Sequence, residues 1–218
     1  MAAGPAKALT GDLRAAVLAC ARDMNACGIN RGTAGNVSAR TDGGFIVTPT
    51  GMDYTRAVPE DMVFVDMEGH FDGPRKPSSE WRFHRDIYAR RHEAGAIVHT
   101  HSPFATSLAC LGLEIPAFHY MIARFGGATI RCAAYATFGT QALSDAMLKA
   151  LEGRSACLMA QHGMVVFGRD LEQALAHAVE LETLCEQYWR ALQIGTPRLL
   201  TDEEMAVVLE KFRTYGQS

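Results

Sequence analysis

The sequence predicts an α/β fold, a mixed sheet covered by helices on both faces. Apolar residues recur at helical spacing at Leu9, Leu13, Val17, Cys20 and Met24. Short runs rich in β-branched and aromatic residues, such as Phe45-Ile46-Val47-Thr48, stand between stretches of that kind. The two patterns then alternate along the remaining chain, with no internal repeat and no low-complexity segment.

The first helix has Thr10 as its expected N-cap and Gly28 as its stop. Asn36–Arg40 and Phe45–Thr48 read as strands joined by a tight turn at Asp42-Gly43-Gly44, which makes them antiparallel neighbours. A third strand is expected at Met62–Asp66, and Ser79 opens a helix through Tyr88 that places Trp81, His84 and Tyr88 on one face. A fourth strand, Ala96–His101, ends abruptly, because Ser102-Pro103 supplies an N-cap followed by proline at the first helical position. Further on come a strand at Thr129–Cys132, a helix from Thr140 to Leu151, and the run Cys157–Ala160 leading to His162. Asp170 caps a long helix to about Leu192, and Thr201-Asp202-Glu203-Glu204 has capping-box spacing before a helix ending near Phe212.

The 218 residues, 48% hydrophobic and 21% charged, suffice for one large core, and no linker divides them. One domain over residues 1–218 is expected, the alternative being a small C-terminal appendage after Pro197. A formal net charge of -3 provides no basic field for a nucleic-acid backbone or an anionic membrane, so neither partner is expected. Cys20, Cys27, Cys110, Cys132, Cys157 and Cys185 lack the close pairing of a zinc finger or redox motif, and several lie in apolar patterns. Buried free thiols in a reducing cytoplasm are the expected reading. Met1–Ala8 has no long apolar core and no stretch reaches membrane-spanning length, so export and insertion are not expected.

The chemistry concentrates at His99-Thr100-His101, where residues two apart on a strand point to one face. A lone histidine in an apolar strand is usually a core residue, but two on one face read as metal ligands, and a catalytic zinc takes about three protein ligands. His162, next to Gly163 at an expected strand end, is the candidate third, and Glu80, where a loop turns into a helix, is a further ligand or the base of a metal-assisted reaction. His84, four residues after Glu80, shares an apolar helix face and reads as structural, while His119 stays open. An iron site of two histidines and a carboxylate, from His99, His101 and Glu80, is a competing reading that would make His162 dispensable. Gly32–Asn36 and Thr48–Gly51, with Ser78-Ser79 at a helix start, offer hydroxyls and backbone N–H groups that can nest a phosphate.

Asn36, Thr48 to Gly51, Ser78-Ser79-Glu80, His99-Thr100-His101 and His162-Gly163, in this order and spacing, resemble the class II aldolases, the zinc-dependent sugar-phosphate aldolases and epimerases. Ser78–His84, Ile115–Ala123, Tyr135–Thr140 and the tail from Asp202 through Tyr215-Gly216 are most similar to the branch that cleaves L-fuculose 1-phosphate. The likeness runs from roughly the first helix to the last residues. It implies a largely antiparallel sheet between helix layers, zinc on His99, His101 and His162, and Glu80 as an acid/base that also ligates the empty metal. It further implies Gly35, Asn36, Thr50, Gly51, Ser78 and Ser79 as phosphate-binding residues, Phe138 in the aldehyde pocket, and Tyr120 as a catalytic acid donated across a subunit boundary. Tyr215 is implied to close over the site, in a homotetramer with sites between subunits.

The reaction so implied is metal-dependent retro-aldol cleavage of a ketose 1-phosphate to dihydroxyacetone phosphate and an aldehyde, lactaldehyde for the fuculose sugar. A pentulose-5-phosphate 4-epimerase or a 3-keto sugar-acid phosphate decarboxylase is the alternative on the same fold. The adducin-like relatives, which use the fold for assembly, lack the intact metal set that is present here. Arg124-Phe125 stands where smaller residues are expected, which predicts an altered acceptor pocket.

Overall fold

The computed structural model describes the backbone of residues 5–214 and the side chains of 12–213. In chain order its elements are α1 (Pro5–Ala26), β1 (Asn36–Thr41), β2 (Gly44–Val47), β3 (Val63–Asp66), α2 (Trp81–Arg90), β4 (Ala96–Thr100) and α3 (Pro103–Cys110). There follow β5 (Cys132–Ala133), α4 (Gln141–Ala150), β6 (Ala156–Met159), β7 (Gly163–Gly168), α5 (Leu171–Ile194) and α6 (Asp202–Thr214). Short 3-10 turns cover Pro59–Asp61 and Tyr120–Phe125.

The strands form one sheet in the order β3-β2-β1-β4-β7-β6-β5, antiparallel throughout except for the β5–β6 edge pair. Side chains alternate between its faces. Val37, Ala39, Val98, Leu158 and Val166 join a core with α1, α3 and α5, to which Met205 of α6 also belongs. Phe45, Val47, Ile97, Cys157 and Val165 join a second core with Phe83 and Ile87 of α2 and Leu143 and Met147 of α4. The result is a largely antiparallel sheet between helix layers, with helices on both faces as the sequence patterns predict. Each large aliphatic side chain buried this way contributes about 1.5–3 kcal/mol.

Several expectations shift. α1 runs Pro5–Ala26, so Thr10 lies inside the helix rather than capping it. β7 is absent from the sequence reading: Met164-Val165-Val166-Phe167 is apolar at every position because both of its faces are buried, which erases the alternation that marks a strand. The strand expected at Thr129–Cys132 is displaced to Cys132–Ala133, with Ile130 making only an isolated bridge to Ile115. Cys20, Cys157 and Cys185 are buried free thiols, but Cys27 and Cys110 are exposed and Cys132 is half-buried. No helix among the described residues is long and apolar enough to cross a membrane.

The caps of α4, α5 and α6 follow the predicted chemistry, whereas Ser102, in the N-cap position of α3, makes no side-chain capping bond. Thr140 and Asp170 accept from the backbone N–H groups of Leu143 and Gln173 at the starts of α4 and α5. Thr201 and Glu204 exchange reciprocal side-chain to backbone bonds of 3.2 and 2.8 Å, a capping box for α6.

Candidate metal and substrate site

β4 lies at the centre of the sheet, between β1 and β7, and turns His99 toward the α2 and α4 layer, the same face as Ile97. With proline at the start of α3 the strand cannot continue, and β4 ends at Thr100, so His99 sits within the strand and His101 just beyond it. His162 occupies the turn between β6 and β7. Gly163 beside it is required by space: a Cβ there would stand 2.4 Å from the Thr100 carbonyl oxygen and 3.0 Å from His101 Cδ2. Glu80 is the residue immediately before α2, in the N-cap position.

These four residues converge. Their ligand atoms all lie within 4.8 Å of one another. The three imidazoles pack pairwise at centroid distances of 4.9 Å and interplanar angles of 73, 82 and 76°. His99 Nδ1 lies 2.8 Å from the Met164 carbonyl oxygen, which only accepts, so Nδ1 carries the proton and Nε2 is left as a lone-pair donor. That Nε2 stands 3.0 Å from His101 Nε2 and 3.1 Å from Glu80 Oε2. Glu80 Oε1 stands 3.1 Å from His162 Nε2, yet it is buried without a hydrogen-bond partner.

The electrostatics reflect how closely these groups approach one another. Burial pushes the Glu80 carboxyl up, but His99 and His162 beside it outweigh that and hold it well below the usual carboxylate range. Burial works against protonation of His99 too, and Glu80 with the Met164 carbonyl overcomes it. His101 goes the other way, lowered to about 4 by burial and by its imidazole neighbours. A carboxylate lone pair with no partner, facing three imidazoles in a buried pocket, is a donor set that fits a divalent metal ion.

Above these groups opens a cavity of about 420 Å³ lined by Glu80, His101 and His162. The structure brings Gly35, Asn36, Thr50, Gly51, Ser78, Ser79 and Phe138, all singled out in the sequence, to the wall of the same cavity. Gly35 and Gly51 have φ of +70 and +63°, the left-handed region that exposes backbone N–H groups in loops of this kind. The loops carrying Thr50 and Ser78 are tied together, Ser78 N donating to the Thr48 carbonyl at 2.9 Å and Thr50 N to that of Lys76 at 3.2 Å. Asn36 differs from expectation in one respect: its side-chain amide is engaged with Glu80 Oε2 at 3.0 Å.

His99 lies fully buried beneath the cavity floor, and His84 is buried outside the ligand cluster, in the structural place expected of it. Tyr120 is 51% exposed and does not line this cavity, and Tyr215 lies outside the described residues. His119 accepts from Met121 N as the cap of the 3-10 turn and stacks on Tyr120. Phe125 is buried in the core, and Arg124 lines a different cavity of the same chain. Tyr135 and Gln161, which the sequence does not single out as site residues, also line the cavity. Gln161 had no signal in the sequence; its signal is structural, a φ of +52° unique among described non-glycine residues.

The model of the Class II Aldolase and Adducin N-terminal domain matches residues 15–189. The chain belongs to the class II aldolase family. A 5-methylthioribulose-1-phosphate/5-deoxyribulose-1-phosphate aldolase of Rhodospirillum rubrum is 56% identical over 94% of this chain and 93% of its own. The L-fuculose phosphate aldolase of Escherichia coli is 47% identical to this class II aldolase over 89% of the chain and 91% of its own. Among solved structures, an L-fuculose 1-phosphate aldolase superposes with a TM-score of 0.90 at 37% identity, covering 93% of this chain and 96% of that one.

Proposed function

We propose that this class II aldolase uses zinc to cleave a deoxyketose 1-phosphate between C3 and C4, giving dihydroxyacetone phosphate and a short aldehyde. The carrying observation is the convergence of His99, His101, His162 and Glu80 at the floor of a cavity whose upper wall is built of glycine, serine and threonine loops. His99, His101 and His162 would hold the zinc, with Glu80 as a further donor. A cation bound there supplies Lewis-acid stabilisation of the negative charge that reaches the ketose carbonyl when C3–C4 breaks.

The chain's own groups do the rest. Gly35, Thr50, Gly51, Ser78 and Ser79 receive the phosphate through N–H and hydroxyl donors, and the Asn36 amide contributes at the junction between phosphate and Glu80. Phosphate binding, remote from the broken bond, orients the sugar. Glu80 is the acid/base that moves the proton at C3 of the dihydroxyacetone phosphate fragment. Tyr120 of a neighbouring copy handles the C4 hydroxyl proton, and Tyr215 closes over the site. This reading makes the working enzyme a homotetramer; a half-exposed Tyr120 outside its own cavity supports it. A single domain and a cytoplasmic location complete the reading.

For the aldehyde end, the 56% identity to a 5-methylthioribulose-1-phosphate/5-deoxyribulose-1-phosphate aldolase favours a 5-deoxypentulose 1-phosphate carrying hydrogen or a methylthio group at C5. Tyr135 and Phe138, 62 and 65% exposed at the cavity, offer aromatic faces on which a methyl or thioether tail packs well. L-Fuculose 1-phosphate is the second reading, supported by the relatives at 47% identity. Dihydroxyacetone phosphate release, followed by a coupled dehydrogenase, is measured with each sugar on zinc-loaded protein. A higher kcat/KM for the methylthio sugar supports the first reading, a preference for fuculose 1-phosphate moves the assignment to the second, and epimerisation without release from either rejects the aldolase.

A further inference from the structure

Four buried side chains continue inward from Glu80 in an unbroken line. Glu80, His84 and Tyr88 stand four residues apart and so share one side of α2. Asn36 and Ser38, two apart on β1, face them, since their partners in β4 are His99 and Ile97 on that same face of the sheet. Asn36 Nδ2 donates to Glu80 Oε2 at 3.0 Å, and Asn36 Oδ1 lies 2.5 Å from His84 Nε2. His84 Nδ1 lies 2.7 Å from Ser38 Oγ, which lies 2.8 Å from the Tyr88 hydroxyl. Ser38 and His84 are 0% exposed and Tyr88 is 1% exposed. No step of the aldol reaction described above uses these three.

With a neutral His84, one arrangement of protons satisfies every contact. An ionised Glu80 only accepts, so Asn36 turns its N–H₂ end toward it and its carbonyl toward His84. That carbonyl only accepts, so His84 carries its proton on Nε2. Nδ1 is then an acceptor, Ser38 donates to it, and Tyr88 donates to Ser38. All donors point the same way, toward the carboxylate. Complete burial keeps the His84 ring uncharged, with the nearby His99 acting in the same direction. At the far end Arg40 lies 4.7 Å over the Tyr88 ring and donates to the Tyr88 and Arg91 carbonyls at 2.8 and 3.0 Å, anchoring the terminal donor.

We propose that His84, Ser38 and Tyr88 are positioning residues that lock the Asn36 amide with its nitrogen toward Glu80, pinning Oε2 and leaving Oε1 as the working oxygen. In the other imidazole tautomer the Nε2 lone pair would face Asn36. The amide would then turn over and set its carbonyl against the carboxylate, displacing Glu80 from the ligand cluster. The catalytic consequence rests on the aldolase reading; the proton arrangement does not.

The test uses zinc-loaded full-length protein and variants that keep the fold's volume. Ser38→Ala and Tyr88→Phe are expected to lower kcat for dihydroxyacetone phosphate release about tenfold, with KM within about twofold and zinc content unchanged. His84→Gln, whose amide nitrogen reaches the Nε2 position, recovers most of the kcat that His84→Leu loses. Nitrogen shifts of histidine-labelled protein, assigned with His84→Gln, show a neutral ring protonated at Nε2 in the parent and a mixture of tautomers in Ser38→Ala. A charged ring or the Nδ1 tautomer in the parent, equal kcat in His84→Gln and His84→Leu, or full activity in Ser38→Ala overturns the proposal. If the parent cleaves neither sugar, the aldolase reading fails and the tautomer spectrum alone decides the proton arrangement.

Discussion

Glu182, in the middle of α5, caps the helix that starts at Pro103, although Ser102 occupies the capping position. Its carboxylate accepts from Phe104 N at 2.8 Å, Ala105 N at 2.9 Å and the Ser102 hydroxyl at 2.7 Å. Ser102 makes no capping bond of its own. The end of the histidine-bearing strand is thereby tied to the long helix α5 through Ser102, the residue that follows His101.

Removing that carboxylate leaves two helix N–H groups without partners at a partly buried helix start. Bonds from neutral donors to a charged acceptor are worth about 1.5–3 kcal/mol, so Glu182→Ala is expected to lower the thermal midpoint by about 3–10 °C for a domain of this size. Glu182→Gln keeps one acceptor oxygen and loses less. Calorimetry of the three proteins checks the order; a midpoint for Glu182→Ala within 1 °C of the parent removes Glu182 from any capping role.

The parts of the molecule legible in the sequence are those fixed by local rules. His99 and His101 had to share a face because strand side chains alternate, and Pro103 had to end that strand because it lacks an N–H. β7 was illegible because a strand buried on both faces has no alternation to read, although it carries the Met164 carbonyl that orients His99. Asn36 could be placed in the site by its motif. That its amide holds Glu80 depends on α2 docking across β1, which no local pattern encodes. Tyr135 and Gln161 reach the cavity through loops whose path is set by the sheet order.

Gly163 makes a test of the tight approach between the His162 turn and β4. Gly163→Ala places a methyl group 2.4 Å from a backbone carbonyl that cannot swing away, so the two strands must separate. Overpacking of this kind costs about 1–3 kcal/mol, and here it also presses on the His101 ring. The expected result is a lower thermal midpoint together with weaker metal retention after dialysis. Loss of stability with undiminished metal content would separate the strand contact from the ligand geometry.

Asp86 links α2 to α4 through Ser144 Oγ at 2.7 Å and Gln141 Nε2 at 2.8 Å, and pairs with Arg85. Partial burial raises its carboxyl, but these donors together outweigh that and leave it lowered. A carboxylate depressed in the folded state contributes stability that is present above its unfolded value, about 3.9, and fades as pH falls through the folded one. The stability difference between the parent and Asp86→Asn should therefore be constant from neutral pH down to about 4 and shrink below it. Urea titrations at several pH values measure this, and a gap that widens on acidification contradicts the sign.

His162 distinguishes the metal readings most sharply. A site of three imidazoles needs it as a ligand, whereas one built from His99, His101 and Glu80 alone does not. With Glu80 Oε1 only 3.1 Å from His162 Nε2, removal of the ring also frees the carboxylate to recoil from the cavity floor. His162→Ala is expected to lose bound metal on dialysis and to lose dihydroxyacetone phosphate release by at least a hundredfold, matching chelator-treated parent protein. His84→Gln, one helical turn from Glu80 and outside the cluster, keeps the parent's metal content in the same preparation. Elemental analysis reads both; a His162→Ala protein that retains one metal per chain points to the two-histidine, one-carboxylate site instead.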